Sequence, residues 1–331
     1  MTVLHFRGLS CFIVLLSLIL FGLCANTQAE EVKQLRLAHV MSSRHPYHLG
    51  ALKFKELVEA DSNGRIQIAI FPIGQLGRQK NLTEMVSAGQ VDFCLVWPGI
   101  LESYDSSFGI LSIPFLFKDE DHLWSIVDGE IGQEIFKPIT EHGLKILTFF
   151  HNGKYNILSK NKVRYPEDMK GIKLRVPPSA LFVEVGNVWG SVVLTTDYTE
   201  VTSAFYNGAI DAEIQSSINV KGGRHYEFAK YYCQIQMSYL LEPLIMSEKL
   251  FINLSSEDQK IILDAAKESA NWQRSQAEEL EKEADRFLMS KGVEYFTPYY
   301  KSEWYKVMVS LYKNHPEWND MITRIRELGE N

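Results

Sequence analysis

Cysteine is scarce in this 331-residue chain, with four in total. Two of them, Cys11 and Cys24, fall in the apolar N-terminal stretch. The other pair, Cys94 and Cys233, is too few for a disulfide framework at this size. Both sit in apolar, strand-like runs where a free thiol simply packs, and a single bridge between them stays open. Basic charge is short as well: 34 Lys and Arg face 41 Asp and Glu, for a net charge of −7. With no basic block, the chain is a poor partner for nucleic acid or an anionic membrane. No apolar run has the length of a membrane span. Nucleophile elbows, phosphate-binding Walker loops, His-Glu-x-x-His and the dinucleotide Gly-x-Gly-x-x-Gly are all missing, which weakens the case for an enzyme. His39, His45 and His48 come closest to a metal cluster, but no acid or thiol stands beside them. Neither a metal nor a cofactor is expected.

The N-terminus has the order of a secretory leader. Arg7 precedes an apolar run from Cys11 to Leu23, and small or polar residues follow. Thr27 and Ala29 place cleavage after Ala29, so 1–29 reads as a signal peptide whose loss leaves the chain one unit more acidic. Leu23 before Cys24 argues against a lipid anchor, because that position needs a small residue. The roughly 300 remaining residues suffice for two domains with cores of their own.

Alternating strands and helices follow. Residues 35–40 form a strand, Pro46 opens a helix, and 65–71 alternate as a second strand. Residues 81–88 have helical character and 91–96 read as a buried strand, which together make the pattern of a wound α/β sheet. Strands at 144–150 and 155–159, a helix at 181–189, a strand at 192–195, a helix at 200–207 and a strand at 209–214 repeat it. Ser255-Ser-Glu-Asp-Gln259 carries overlapping capping boxes, after which helical character runs unbroken to Lys291 and Gly292. Such a helix is roughly 50 Å long and spans more than one small domain. Ile262, Ala266, Ser269, Trp272, Leu280, Ala284 and Phe287 form its thin apolar stripe. A dimerising arm is the alternative use of that helix, although the heptads are not sustained.

Among the candidate site residues Arg175 comes first. Ile172, Leu174 and Val176 alternate with Lys173 and Arg175, and Pro177 and Pro178 stop the strand. A guanidinium at the carboxyl end of a strand lies where open α/β sheets bind ligands, and its fork of donors suits a carboxylate. Trp97, Tyr155 and Tyr198 each fall at a strand end, where they serve either as rim packing or as the apolar cover of one pocket.

In segment order the chain resembles the DctP-type periplasmic solute-binding proteins of tripartite ATP-independent periplasmic (TRAP) transporters. The stretches that carry the resemblance are Leu37-Ala-His-Val40, Phe71-Pro-Ile-Gly-Gln-Leu-Gly77, Ala88-Gly-Gln-Val-Asp-Phe93, Ile113-Pro-Phe-Leu-Phe117, Asp168 through Pro177, Glu200 through Asp211, and 254–266. The resemblance implies a two-lobed α/β fold with mixed sheets, hinge strands and a long helix spanning both lobes. Lobe I would hold 30–152 with 241–280, and lobe II 153–240 with 281–331. It further implies a ligand-binding protein of the Gram-negative periplasm, without catalysis, that hands an organic acid to TRAP membrane subunits, most simply as a monomer. Arg175 falls on the arginine that holds the ligand carboxylate. Trp97, Tyr198, Gln215 and Met41 fall on pocket positions, and Tyr155 takes the place of a second arginine common in the family. One arginine with extra aromatics favours a monocarboxylate with a flat or apolar body. Glu213 is expected either to pair with Arg175 or to meet an amino group of the ligand. An exported enzyme using His39 or His45 as a base, and a binding subunit serving a sensor, are the competing readings.

Overall fold

A computed structural model describes residues 32–330, so the expected signal peptide lies outside the described residues. Its strands are β1 (Lys33–Ala38), β2 (Ile66–Phe71), β3 (Phe93–Leu95), β4 (Leu144–Lys154), β5 (Asn156–Ser159), β6 (Lys173–Val176), β7 (Val192–Thr195), β8 (Ala212–Gln215), β9 (Tyr231–Cys233), β10 (Tyr239–Ser247) and β11 (Glu294–Phe296). They build two mixed sheets, ordered β2-β1-β3-β10-β4 and β11-β9-β5-β8-β6-β7. In the first sheet β1 runs parallel to β3, while β10 runs antiparallel to both β3 and β4. In the second, β6 lies parallel to β7 and β8, and β5 antiparallel to β8 and β9.

The architecture is the two-lobed α/β fold that the segment order implied. Two stretches of extended chain join the sheets. β4 passes into β5 through Tyr155 alone, and β9 returns to β10 through residues 234–238. These crossings hydrogen-bond to each other: the Tyr155 amide donates to Ser238 O at 2.8 Å and the Met237 amide to Tyr155 O at 3.1 Å. Gly153 turns the first crossing at φ +80°. A Cβ there would lie 2.6 Å from Glu281 Oε1, the carboxylate that accepts from the Lys154 amide at 3.0 Å. Only glycine satisfies both the left-handed backbone and that approach.

The long helix spans Ser256–Ser290, with Ser255 capping it by accepting from the Asp258 amide. It packs along the helix Pro46–Asp61, along β4 and against the short helix Ser217–Gly222, and so braces both sheets. Its buried face keeps Ile262, Ala266, Ser269 and Ala284 of the expected stripe and departs from it elsewhere. Ala265, Ala270, Gln273 and Ala277 are buried, whereas Trp272 is 38% exposed. Small side chains let the helix approach β4 closely. There Gln273 clamps one residue from both sides, accepting from the His151 amide at 2.8 Å and donating to His151 O at 2.7 Å. Cys94 and Cys233 are free and buried, in different sheets, so each is a packing thiol. Among the described residues no helix is long and apolar enough to cross a membrane.

Candidate functional site

Arg175 sits where the alternation placed it along the strand, but not in the environment that alternation implied. β6 is flanked on both sides, with Arg175 opposite Leu194 of β7 and Glu213 of β8. Its side chain is 2% exposed rather than half-solvated. Nε and Nη2 both donate to Thr196 O, at 3.1 and 2.8 Å, which locks the rotamer. Nη1 is buried and has no hydrogen-bond partner. The guanidinium thus keeps one edge, Nη1 with the second hydrogen of Nη2, free for an acceptor. Burial lowers its pKa, and nearby Glu213, Tyr155, Asp197 and Tyr198 oppose that shift.

Arg175 borders a small cavity of about 40 Å³. All six residues named from the sequence line it: Arg175, Tyr155, Trp97, Tyr198, Gln215 and Met41. Trp97 follows β3, its amide donating to Gln79 Oε1 at 2.6 Å. It packs edge-on against Phe182 with ring centroids 5.6 Å apart. The indole lies over Gly99, where a Cβ would come within 1.8 Å of the ring. Tyr155, at the crossing of the lobes, packs edge-on against the other side of Phe182 at 5.0 Å. Burial raises its pKa further than the neighbouring Arg175 lowers it, so the phenol stays neutral. Tyr198 donates its hydroxyl to Asn219 O at 2.9 Å.

The amides of the wall are largely committed to one another. Gln215 Oε1 accepts from Asn219 Nδ2 at 3.0 Å and from the Ser216 amide at 3.0 Å. Asn219 Oδ1 accepts from Asn152 at 2.8 Å and meets His45 Nε2 at 2.8 Å. This network ties the cap of Pro46–Asp61 to the Ser217–Gly222 helix across the cleft. A second tie is Glu102, which receives the Ser179 hydroxyl at 2.8 and 2.9 Å and the Ala180 amide at 3.2 Å. A third lies at the mouth, where Arg78 pairs with Glu200 at 2.8 Å and Asp197 at 3.7 Å.

Two expectations fail here. Glu213 Oε1 is engaged by His225, 2.6 Å from Nδ1, and Glu213 neither pairs with Arg175 nor lines the cavity. Its strand register puts it beside Arg175, but the imidazole reaches its carboxylate first. The histidines proposed as bases are occupied elsewhere. His45 caps a helix by accepting from the Tyr47 amide, and His39 Nε2 contacts His48 Nδ1 at 3.0 Å. Among the described residues no group of three or more His, Cys, Asp or Glu is placed to hold a metal ion.

The family model for bacterial extracellular solute-binding protein, family 7 (DctP), matches residues 37–317. The chain belongs to that family. A solute-binding protein of Roseobacter denitrificans is 28% identical over 82% of this chain and 84% of its own length. The 2,3-diketo-L-gulonate-binding periplasmic protein of Escherichia coli is 25% identical over 85% and 86%. Among solved structures, a TRAP periplasmic solute-binding protein from Xanthobacter autotrophicus with bound β-D-galacturonate superposes with a TM-score of 0.85. It is 30% identical, with coverage of 89% and 99%. One from Pseudomonas putida with bound D-glucuronate gives 0.85 at 29% identity, covering 88% and 96%.

Within this family member, the lining residues that sequence reading missed include Gln79, Asp197, Asn219, Leu240 and Glu242. Glu242 had a legible signal, since it is the one acid in the apolar run Tyr239-Leu-Leu-Glu-Pro-Leu-Ile-Met246. Asn219 had none, because its role depends on partners far away in sequence.

Proposed function

We propose that this chain is a periplasmic carrier that seats the carboxylate of an organic acid on the free edge of Arg175 and delivers that acid to TRAP membrane subunits. The observation that carries the reading is the guanidinium itself, buried and locked by Thr196 O, with Nη1 unpartnered at the cavity wall. A charged donor without water or a partner is strongly unfavourable until an acceptor arrives. Arg175 is the only cation among the described residues lining the cavity, which favours a single carboxylate. The galacturonate and glucuronate held by the two solved relatives each carry one carboxylate. Three aromatic side chains line the wall, which suits a flat or apolar body. No side chain at the cavity is placed as a base with a nucleophile, and binding alone accounts for the arrangement.

We assign 30–152 with 241–280 to one lobe and 153–240 with 281–331 to the other. The last helix, Asn319–Glu330, reaches back to pack against Glu120–Val127. Ligand held between lobes shifts an open–closed equilibrium toward the closed form that the membrane subunits would read. Calorimetric titration with a panel of mono- and dicarboxylates tests the reading. Arg175→Ala should weaken binding at least about a hundredfold, as expected when a desolvated carboxylate loses its charged partner. Arg175→Lys should restore only part of it, because an ammonium lacks the two-donor edge. Binding unchanged in Arg175→Ala removes the arginine from the site.

A further inference from the structure

The wall of the same cavity holds a carboxyl with a buried oxygen that no described residue satisfies. Glu242 lies in β10, between β3 and β4 in the sheet, is 1% exposed and lines the same cavity as Arg175, Trp97 and Tyr155. Its Oε1 is buried without a hydrogen-bond partner. The titratable groups that feel its charge are Tyr47 from the helix Pro46–Asp61, Cys94 from β3 and Tyr155 from the crossing strand. None of them is a cation. The other carboxyls at or near the cavity each have at least one partner: Asp197 faces Arg78, Glu102 holds Ser179, and Glu213 meets His225 through Oε1 while its Oε2, outside the cavity lining, is buried without one. Leaving an acid unsatisfied in a strand buried on both faces is costly, and leucine or methionine would fill the space without that penalty.

We infer that Glu242 is the receptor for a protonated nitrogen, so that the ligand class is a zwitterion: a carboxylate for Arg175 and an ammonium for Glu242, joined by an apolar or aromatic body. This rests on the proposed carboxylate-binding function and narrows it. Of the two carboxyls lining the cavity, Asp197 faces Arg78, so Glu242 is the one left to meet a ligand nitrogen. The aromatic faces of Trp97 and Tyr155 border the same space and stabilise a cation that rests against them. Burial raises the pKa of Glu242 well above its ordinary value, so the empty site holds a proton. On binding, that proton passes to solvent while the ligand ammonium keeps its own, and a carboxylate–ammonium pair replaces a neutral acid.

Matched acids separate this inference from the function on which it rests. Isothermal titration would use 4-aminobutanoate against butanoate, phenylalanine against 3-phenylpropanoate, and D-glucuronate, each in two buffers of different ionisation enthalpy. The amino member of at least one pair should bind ten or more times as tightly as its deaminated counterpart, about tenfold being a single well-formed polar contact, with close to one proton released per ligand. In Glu242→Gln, with folding checked by an unshifted or raised melting temperature, both the preference and the proton release should vanish. Equal binding within both pairs, tightest binding of D-glucuronate, or a preference that survives in Glu242→Gln overturns the ammonium assignment and leaves Arg175 in place. If none of these acids binds the wild-type protein, the carboxylate-carrier reading fails, and this inference fails with it.

Discussion

Replacing Glu102 by glutamine should flatten the pH dependence of stability between pH 5 and 8. Glu102 is largely buried where the helix Ala180–Val188 begins, and accepts from Ser179 Oγ and the Ala180 amide. Those bonds favour the ionised form, but burial outweighs them and lifts the pKa from 4.5 to about 7. A difference of that size corresponds to about 3 kcal/mol between the two protonation states, and residual solvent access reduces it to about 2 kcal/mol. The sign follows from linkage. The folded chain holds this proton more tightly than the unfolded one, so the contribution is complete below pH 4.5 and is lost as pH rises through about 7. The wild-type protein should therefore lose about 2 kcal/mol from this group between pH 5 and 8. The glutamine variant, whose amide keeps an acceptor for Ser179, should lose none of it. Urea denaturation followed by circular dichroism at pH 5, 6, 7 and 8 measures the difference. Parallel curves for the two proteins would show that Glu102 is ionised and paired throughout, and the argument from burial would be wrong.

Gly99→Ala should push the Trp97 indole out of its place, since the new methyl would lie within 1.8 Å of the ring. The expected signature is a changed tryptophan emission spectrum with a loss of about 1–3 kcal/mol; an unchanged spectrum would refute it. Gln273→Ala should cost about 2–4 kcal/mol in urea denaturation by stranding both backbone groups of the buried His151, and a loss below 1 kcal/mol would mean that β4 shifts to re-pair them. His45 has its pKa lowered to about 4, mainly by burial. Its contribution is present above about pH 6.5 and lost as pH falls toward 4, so in acid denaturation His45→Gln should lose less stability than wild type over that range. Cys94 and Cys233 are free and buried. Thiol reagents should modify neither in the native protein and both in guanidinium, and reductant should leave the melting temperature unmoved.

Local signals carried much of the architecture. Ser255 and Gly292 bracket the long helix in the sequence as they do in the structure, because caps act on the nearest turn and need no distant partner. Pro177 and Pro178 likewise end β6 where proline must. Burial was less legible. Alternation marked the place of Arg175 along the strand, but its 2% exposure is set by what packs around the cavity and is not written in β6. The helix seam was misread at Trp272 because large apolar residues draw attention, whereas its buried middle runs through Ala265, Ala266, Ala270, Gln273 and Ala277. All six site residues named from the sequence border one cavity. Their chemistry could be anticipated one at a time, but the commitment of Gln215 to Asn219 and of Glu213 to His225 is a property of pairs.

The strand order of the first sheet has a consequence for how the molecule is made. β10 fills the gap between β3 and β4, yet it follows them in the chain only after β5 to β9. A growing chain therefore has two unsatisfied edges in its first sheet until residue 247 is free, while β5, β6, β7, β8 and β9 can already pair with each other. All of the second sheet except its edge strand β11 can pair before the first sheet closes. Until β10 arrives, β3 and β4 are open to the wrong neighbour. The last central strand to emerge is also the one that carries Glu242, so the floor of the cavity and the closing of that sheet are completed by the same segment.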